Sequence, residues 1–539
     1  MDSLNNNHIK LIAISFASGA CITYLSMKLF STNNNDDNKK KQLSKSSSIL
    51  LNSTSSENLD TPETFQTAGT HLLDWIINYR KECRDLPVVS TVKHNYLKDI
   101  LPKEAPENSE SWNNIFDDLS TKIVPGLTNW QASNKFFAYF KPHSSYPAVL
   151  AETLCAGLNV MGFDWIASPA CTELEVVTLD WLATILNLPE KFKASSPGPG
   201  GSVIQGSAGE SAIVVLLAAC LRKASNINKS KNDGTCRRDK MAVFASDQTH
   251  TIIKKACRIL GLHYVEVPSK LENNWAISTY DMEDAILKSK NEGGYIPLAI
   301  VGTPGTTSSC AFDNLSEIGK LAKKYNLWFH VDAAYGGAYA ALPEMKMKFN
   351  GVDLCDSFCV NAHKKILCPF DLSALYVADR HHIMKALSVE SEYLKNDASD
   401  SGAVVDYENW QLPLGRRFRA LKLWFVLRRF GANGIRKHVR KGIEYRKILE
   451  NLIEQDTNEM FEIAAPPSLS LICFRLKNRS EAEHKLFLKE LKQTGDCFII
   501  HTKLGGKIVL RIACGGIEQT EDDVINAWNV ISKLAYKLF

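Results

Sequence analysis

Two stretches of this chain carry residue types from which chemistry can be built. Residues 356–365, Asp-Ser-Phe-Cys-Val-Asn-Ala-His-Lys-Lys, form a short apolar run that breaks into a polar turn bearing Asn361, His363 and Lys364. Residues 327–337, Leu-Trp-Phe-His-Val-Asp-Ala-Ala-Tyr-Gly-Gly, repeat the buried-strand pattern and carry a carboxylate, Asp332, at the end of the run. A lysine amine can form a Schiff base with an aldehyde, and a buried carboxylate can keep a pyridine nitrogen protonated. Alone, either residue reads as surface decoration. Together at strand ends, with further polar groups around them, they define a candidate site.

The elements that must position them follow from the hydrophobic pattern. Four strand-like runs, 241–245, 298–302, 327–331 and 357–360, each end in a polar or glycine-rich turn. Helix-like segments such as 282–288 and 314–324 lie between them, so the expected fold class is α/β, a mostly parallel sheet covered by helices. Ligands on such sheets bind at the carboxyl ends of strands. His250, Thr307, Asp332 and Lys364 all fall at or just beyond those ends. His250 by itself reads as structural; jointly the four favour one site. Upstream, the small residues Gly206-Ser207-Ala208-Gly209 enter an apolar helix and leave backbone N–H groups free for a phosphate. They match neither a dinucleotide fingerprint nor a P-loop. Residues 134–140 are aromatic-dense, a pattern that fits core first and an aromatic-ligand pocket second.

Composition and charge remove several function classes. The 63 basic and 59 acidic residues are spread along the chain and leave a net charge of +4, which is no nucleic-acid signature. The 14 cysteines form no CxxC pair or regular framework, so reduced core thiols are expected and no metal site. Residues 11–27 are an uncharged run between Lys10 and Lys28. A single-pass anchor is the first reading, ahead of a cleaved signal peptide or an organelle-targeting segment. The lysines at 39, 40, 41 and 45 favour a cytoplasmic catalytic portion. The expected organisation is a hydrophobic anchor or targeting segment over 1–30, a disordered linker over 31–58, and a helical, dimerising segment over 59–145. A large domain over 146–419 and a small C-terminal α+β domain over 420–539 follow. Residues 410–430 read as a basic amphipathic helix. Tyr393, on a turn-rich stretch, is either a packing anchor or a proton donor brought in by loop closure.

From about residue 60 onward the chain resembles the group II pyridoxal-phosphate decarboxylases, specifically the aromatic-L-amino-acid decarboxylase family. The blocks that carry the resemblance are 137–140 (Phe-Ala-Tyr-Phe), 144–147 (Ser-Ser-Tyr-Pro), 167–175, 203–207, 246–248, 330–335, 361–364 (Asn-Ala-His-Lys) and 412–419. The resemblance implies fold type I of pyridoxal enzymes (aspartate aminotransferase-like), pyridoxal 5′-phosphate as cofactor, and a homodimer with its sites at the subunit interface. It implies that Lys364 forms the Schiff base, Asp332 pairs with the pyridine nitrogen, and His250 stacks over the ring. It places Ala208, Gly209, Asn361 and His363 at the phosphate and Thr307 near the ring substituents. Tyr139, Phe140, Pro142 and Gly415 fall at substrate-pocket positions, and Met161 and Phe163 at positions that reach the partner's site. Tyr393 would protonate Cα.

The implied activity is that of a carbon–carbon lyase releasing carbon dioxide and an aromatic amine. Relatives that form an aldehyde instead carry Phe at the loop position or lack the stacking His, so Tyr393 and His250 favour plain decarboxylation. Gly415 favours tryptophan as substrate, with tyrosine, dopa and phenylalanine behind it. The alternatives are an aromatic acetaldehyde synthase and, in another class, a non-catalytic binding protein on a degenerate fold. Three departures from the family pattern stand out. Lys141-Pro142-His143 replaces a Pro followed by small residues, which would add positive charge near the pocket entrance. Lys365 replaces the usual Trp, and Gly209 stands where a phosphate-binding Ser is common.

Overall fold

The computed structural model describes residues 61–231, 237–389 and 404–539. They fall into two compact units. The smaller comprises residues 61–77 and 92–126, and the larger residues 78–91 and 127–539. The smaller unit is helical. In it Trp75 Nε1 donates to Ser120 Oγ at 2.9 Å, and His71 sets its ring edge-on to Phe116.

The larger unit is built on a seven-stranded sheet: β1 (Gly201–Gln205), β2 (Met241–Ser246), β3 (His263–Val267), β4 (Ile296–Gly302), β5 (Trp328–Asp332), β6 (Ser357–Asn361) and β7 (Ser373–Val377). Their spatial order is β1-β7-β6-β5-β4-β2-β3. All neighbours pair in parallel except β7, which is antiparallel to both β1 and β6. The four expected strands are present to within two residues at either end. They read as nearly unbroken apolar runs because helices cover both sheet faces. Ile300, Phe329 and Phe358 pack into one core, and Val301, Trp328 and Cys359 into the other. A second, antiparallel sheet, ordered β10-β11-β9-β8, comprises β8 (Phe461–Ser468), β9 (Leu471–Leu476), β10 (Ile500–Leu504) and β11 (Lys507–Ala513).

Two expectations are corrected. The helix expected over 410–430 begins only at Arg419 and runs to Glu454, with a break at Gly431, whose φ is +63°. Pro413 and Gly415 interrupt the pattern before it. Arg416 instead inserts its guanidinium into the core, paired with the buried Glu175, whose Oε1 also accepts the Ile204 N–H at 2.7 Å. A transmembrane segment was also expected. No helix among the described residues is long and apolar enough to cross a membrane, and the run 11–27 that prompted the expectation lies outside the described residues.

Candidate active site

The carboxyl ends of the parallel strands open into a cavity of about 450 Å³, within the size range of small-molecule sites. Asp332 closes β5, and Asn361 closes β6. The chain then turns through the single helical turn Ala362–Lys365, which presents His363 and Lys364 to the cavity. The helix Ala208–Lys231 starts at the cavity wall. Its first amides, those of Ala208 and Gly209, have no partner within the helix by geometry. Glu210 folds back to accept the Gly206 N–H at 2.8 Å, which fixes the turn. A Cβ on Gly209 would meet only ordinary contacts, at 3.4 Å from Ser207 Oγ, so sterics do not demand glycine there.

The charges are arranged in opposition. Burial lowers the pKa of Lys364, and the field of Asp332 opposes that shift. Asp332 is 3% exposed, and its Oδ1 accepts the Ala334 N–H at 3.1 Å. The β5–β6 register puts Cys359 opposite Asp332, and the thiol reaches Oδ1 at 3.6 Å. Burial also lowers the pKa of His250, whose Nδ1 accepts the Ile252 N–H at 3.2 Å; that tautomer leaves Nε2–H free to donate. His363, beside the Leu372 carbonyl at 3.0 Å, is pushed down to about 4 by burial, so its imidazole is neutral at ordinary pH. Phe140 stacks on Tyr335 at 3.6 Å between ring centres, with Arg511 5.0 Å and Lys364 5.7 Å from its own centre.

Of the residues singled out from sequence, Ala208, Gly209, His250, Thr307, Asp332, Asn361, His363, Lys364 and Phe140 line this one cavity. The others do not line it. Tyr139 is 45% exposed and stacks on Trp130. Pro142 is half-buried, and Met161 is 62% exposed. The Phe163 carbonyl accepts the Glu408 N–H at 2.8 Å, and Gly415 is exposed, with open space where a side chain would go. Tyr393 lies outside the described residues. Ser207, part of the helix entrance read from sequence, lines the cavity too, whereas sequence reasoning missed Thr303, Tyr335 and Phe370, which also line it. Tyr335 was within reach, three residues past Asp332 on the same glycine-rich turn. Phe370 carried no signal, because its place depends on how the chain returns from the Lys364 turn to β7.

A phosphorylated pyridine aldehyde fits these groups. An amine and a buried carboxylate share the cavity, free helix-start amides suit a phosphate, and the Asn361 side chain, which carries an NH2 donor, lines the same cavity. Residues 94–477 match the family described as "Pyridoxal-dependent decarboxylase conserved domain". The phenylacetaldehyde synthase of Arabidopsis thaliana is 42% identical over 482 residues, 88% of this chain and 96% of the relative. Tyrosine decarboxylase 2 of Narcissus pseudonarcissus is 43% identical, covering 86% and 92% of the two chains. The crystal structure of Oryza sativa TDC with PLP and tryptamine superposes with a TM-score of 0.85 at 35% identity, covering 89% of this chain and 99% of that one.

Proposed function

Because this chain belongs to the pyridoxal-dependent decarboxylases, in their aromatic-L-amino-acid branch, and is a carboxy-lyase that uses pyridoxal 5′-phosphate, we propose that it converts an aromatic L-amino acid, tryptophan before tyrosine, dopa or phenylalanine, into its amine and carbon dioxide. The observation that carries the proposal is the convergence of Lys364 and Asp332 on one cavity with the amides of Ala208 and Gly209. Bound there, the cofactor supplies a sink for the electron pair left on Cα when carbon dioxide departs. Lys364 is the amine that holds the cofactor's aldehyde; its lowered pKa favours the neutral, nucleophilic form. Asp332 would pair with the pyridine nitrogen and keep it protonated, since an adjacent anion stabilises the charged form. His250 would stack over the ring, Asn361, His363 and the two amides would hold the phosphate, and Thr307 would border the ring substituents. Phe140 covers the cavity wall with a flat apolar surface suited to an aromatic side chain.

A homodimer completes the pocket in this reading. Tyr146, Leu150, Leu154 and Leu158 form an exposed apolar stripe at four-residue spacing along the helix Tyr146–Leu158, continued by Met161 and Ile166. Such a stripe is the surface a second copy buries. Met161, Phe163, Gly415, Tyr139 and Pro142, absent from the cavity of one chain, then belong to the pocket edge formed by two. Buried free cysteines, among them Cys310, Cys359 and Cys514, support a reducing, cytoplasmic setting.

A second reading has a specific observation behind it, the 42% identity to a phenylacetaldehyde synthase. In that reaction dioxygen and water are consumed, and aldehyde, ammonia and hydrogen peroxide accompany the carbon dioxide. His250 and Tyr393 favour the amine. The test is product analysis with tryptophan, tyrosine, dopa and phenylalanine in competition, with peroxide followed in parallel. Amine without peroxide supports the proposal, and stoichiometric peroxide overturns it. Tyr393→Phe is expected to divert product towards aldehyde; unchanged amine output would remove Tyr393 from the proton-donor role.

A further inference from the structure

Phe140, Tyr335 and Lys364, which line the main cavity, also line a separate void of about 10 Å³ together with Lys141, His143, Lys365, Cys514 and Gly516, among others. That is close to the room one water-sized particle requires. Lys141 is 9% exposed, and its Nζ is buried without a hydrogen-bond partner. The same atom lies 3.2 Å from where a Cβ on Gly516 would sit. Lys365, 4% exposed, donates to the carbonyls of Cys514 at 2.6 Å and Gly515 at 3.2 Å. His143, 2% exposed, meets His438 with Nδ1 and Nε2 3.1 Å apart.

Among the described residues no carboxylate lines the void. The acidic groups whose fields reach Lys141 are the Cys83 thiol, Glu518, which is exposed, and Asp523, which is engaged by Arg84 at 2.6 Å. Of the three amines on the void, Lys364 has the field of Asp332; Lys141 and Lys365, beside two imidazoles and with no carboxylate lining the void, are costly in the protonated state. Burial accordingly pulls Lys141 down to about 8 and Lys365 to about 7. Water in the void would accept hydrogen bonds without neutralising charge, whereas an anion does both.

We propose that this void binds one small monovalent anion of the halide class, held between the ammonium groups of Lys141 and Lys365. Lys141 has donors to spare, and its flexible arm gives by the few tenths of an ångström that chloride or bromide needs beyond water. The bound ion joins the turn carrying Lys364 to the end of β11 through Lys365 and Gly516.

Crystals of the holoenzyme grown with sodium bromide test the proposal by anomalous scattering. The expected result is a single bromide peak within hydrogen-bond distance of both Nζ atoms. A water-like peak without anomalous signal overturns it. In solution, the melting temperature should rise saturably with bromide over gluconate at matched ionic strength. Lys141→Met and Lys365→Met should each abolish that rise. A rise that survives in both variants places the ion elsewhere and also overturns the proposal. If one variant does not fold, the other and the wild-type crystals decide. Neither readout depends on turnover, so the result stands apart from the identity of the reaction.

Discussion

Lys364 and Lys365 are neighbours in sequence and opposites in surroundings. Lys364 shows its amine to an open cavity shared with a buried carboxylate. Lys365 turns the other way and spends its donors on two carbonyls at the end of β11. Burial lowers both amines, but only Lys364 has the field of a buried carboxylate and space for a reagent. The difference teaches that a lowered pKa does not identify a reactive lysine. Access and an opposing charge do.

The sharpest way to break this comparison is Lys364→Ala. It should reduce turnover by at least about 10³-fold and remove the visible absorption band that pyridoxal phosphate gives with the wild type; turnover surviving through Lys365 would collapse the distinction. Asp332→Asn should keep the cofactor but lower kcat by about 10²-fold or more, because a neutral partner no longer holds the pyridine nitrogen protonated. Steady-state kinetics alongside a cofactor-content assay separates that from simple loss of binding.

Lys365→Met should change kcat by less than about tenfold and act on stability instead. The folded pKa of about 7 lies below the ordinary value of 10.5, so between those limits the unfolded chain holds the extra proton. Stability therefore rises with pH across that window, by at most about 1.4 kcal/mol per pH unit for one proton. Below pH 7 the burial cost is fully present. In halide-free buffer the variant should lose that slope in a denaturant titration repeated from pH 7 to 9; an unchanged slope would mean Lys365 is not the titrating group. Smallest of all, Cys359→Ala removes a weak donor to Asp332 and should shift kcat by no more than about fivefold. A larger loss would make the thiol part of the chemistry.

Much of the site was legible because buried parallel strands advertise themselves. The runs ending at Asp332 and Asn361 are apolar without alternation, and the residues just past them had to lie at the ligand edge of a sheet. The helix start at Ala208 was legible for another reason, the run of small residues from Gly206 to Gly209 that enters an apolar helix. Lys141 and His143 were not. They were read as charges near the pocket entrance, whereas they are buried against Gly516 and His438, contacts contributed by residues about 300 or more positions further along. No local pattern encodes such a burial. The late start of the helix at Arg419 has a local cause that was underweighted, since Pro413 and Gly415 stand inside the amphipathic run. Met161 and Gly415 are exposed and Phe163 is half-buried away from the cavity, so their place in a pocket rests on the family resemblance alone.

The antiparallel placement of β7 has a practical consequence. Asn361 of β6 and Ser373 of β7 form the last rung of their ladder, so Lys364 rides on a closed loop pinned at both feet. Leu372 lies inside that loop, fully buried, with its carbonyl 3.0 Å from His363 Nδ1, and Asp371 is held by Arg419 at 3.1 Å. One residue added between Asn361 and Lys364 would rotate the amine away from Asp332, and one added at Leu372 would pull His363 out of line. Neither half of the loop has length to spare, so a reporter group has to be carried elsewhere on the surface.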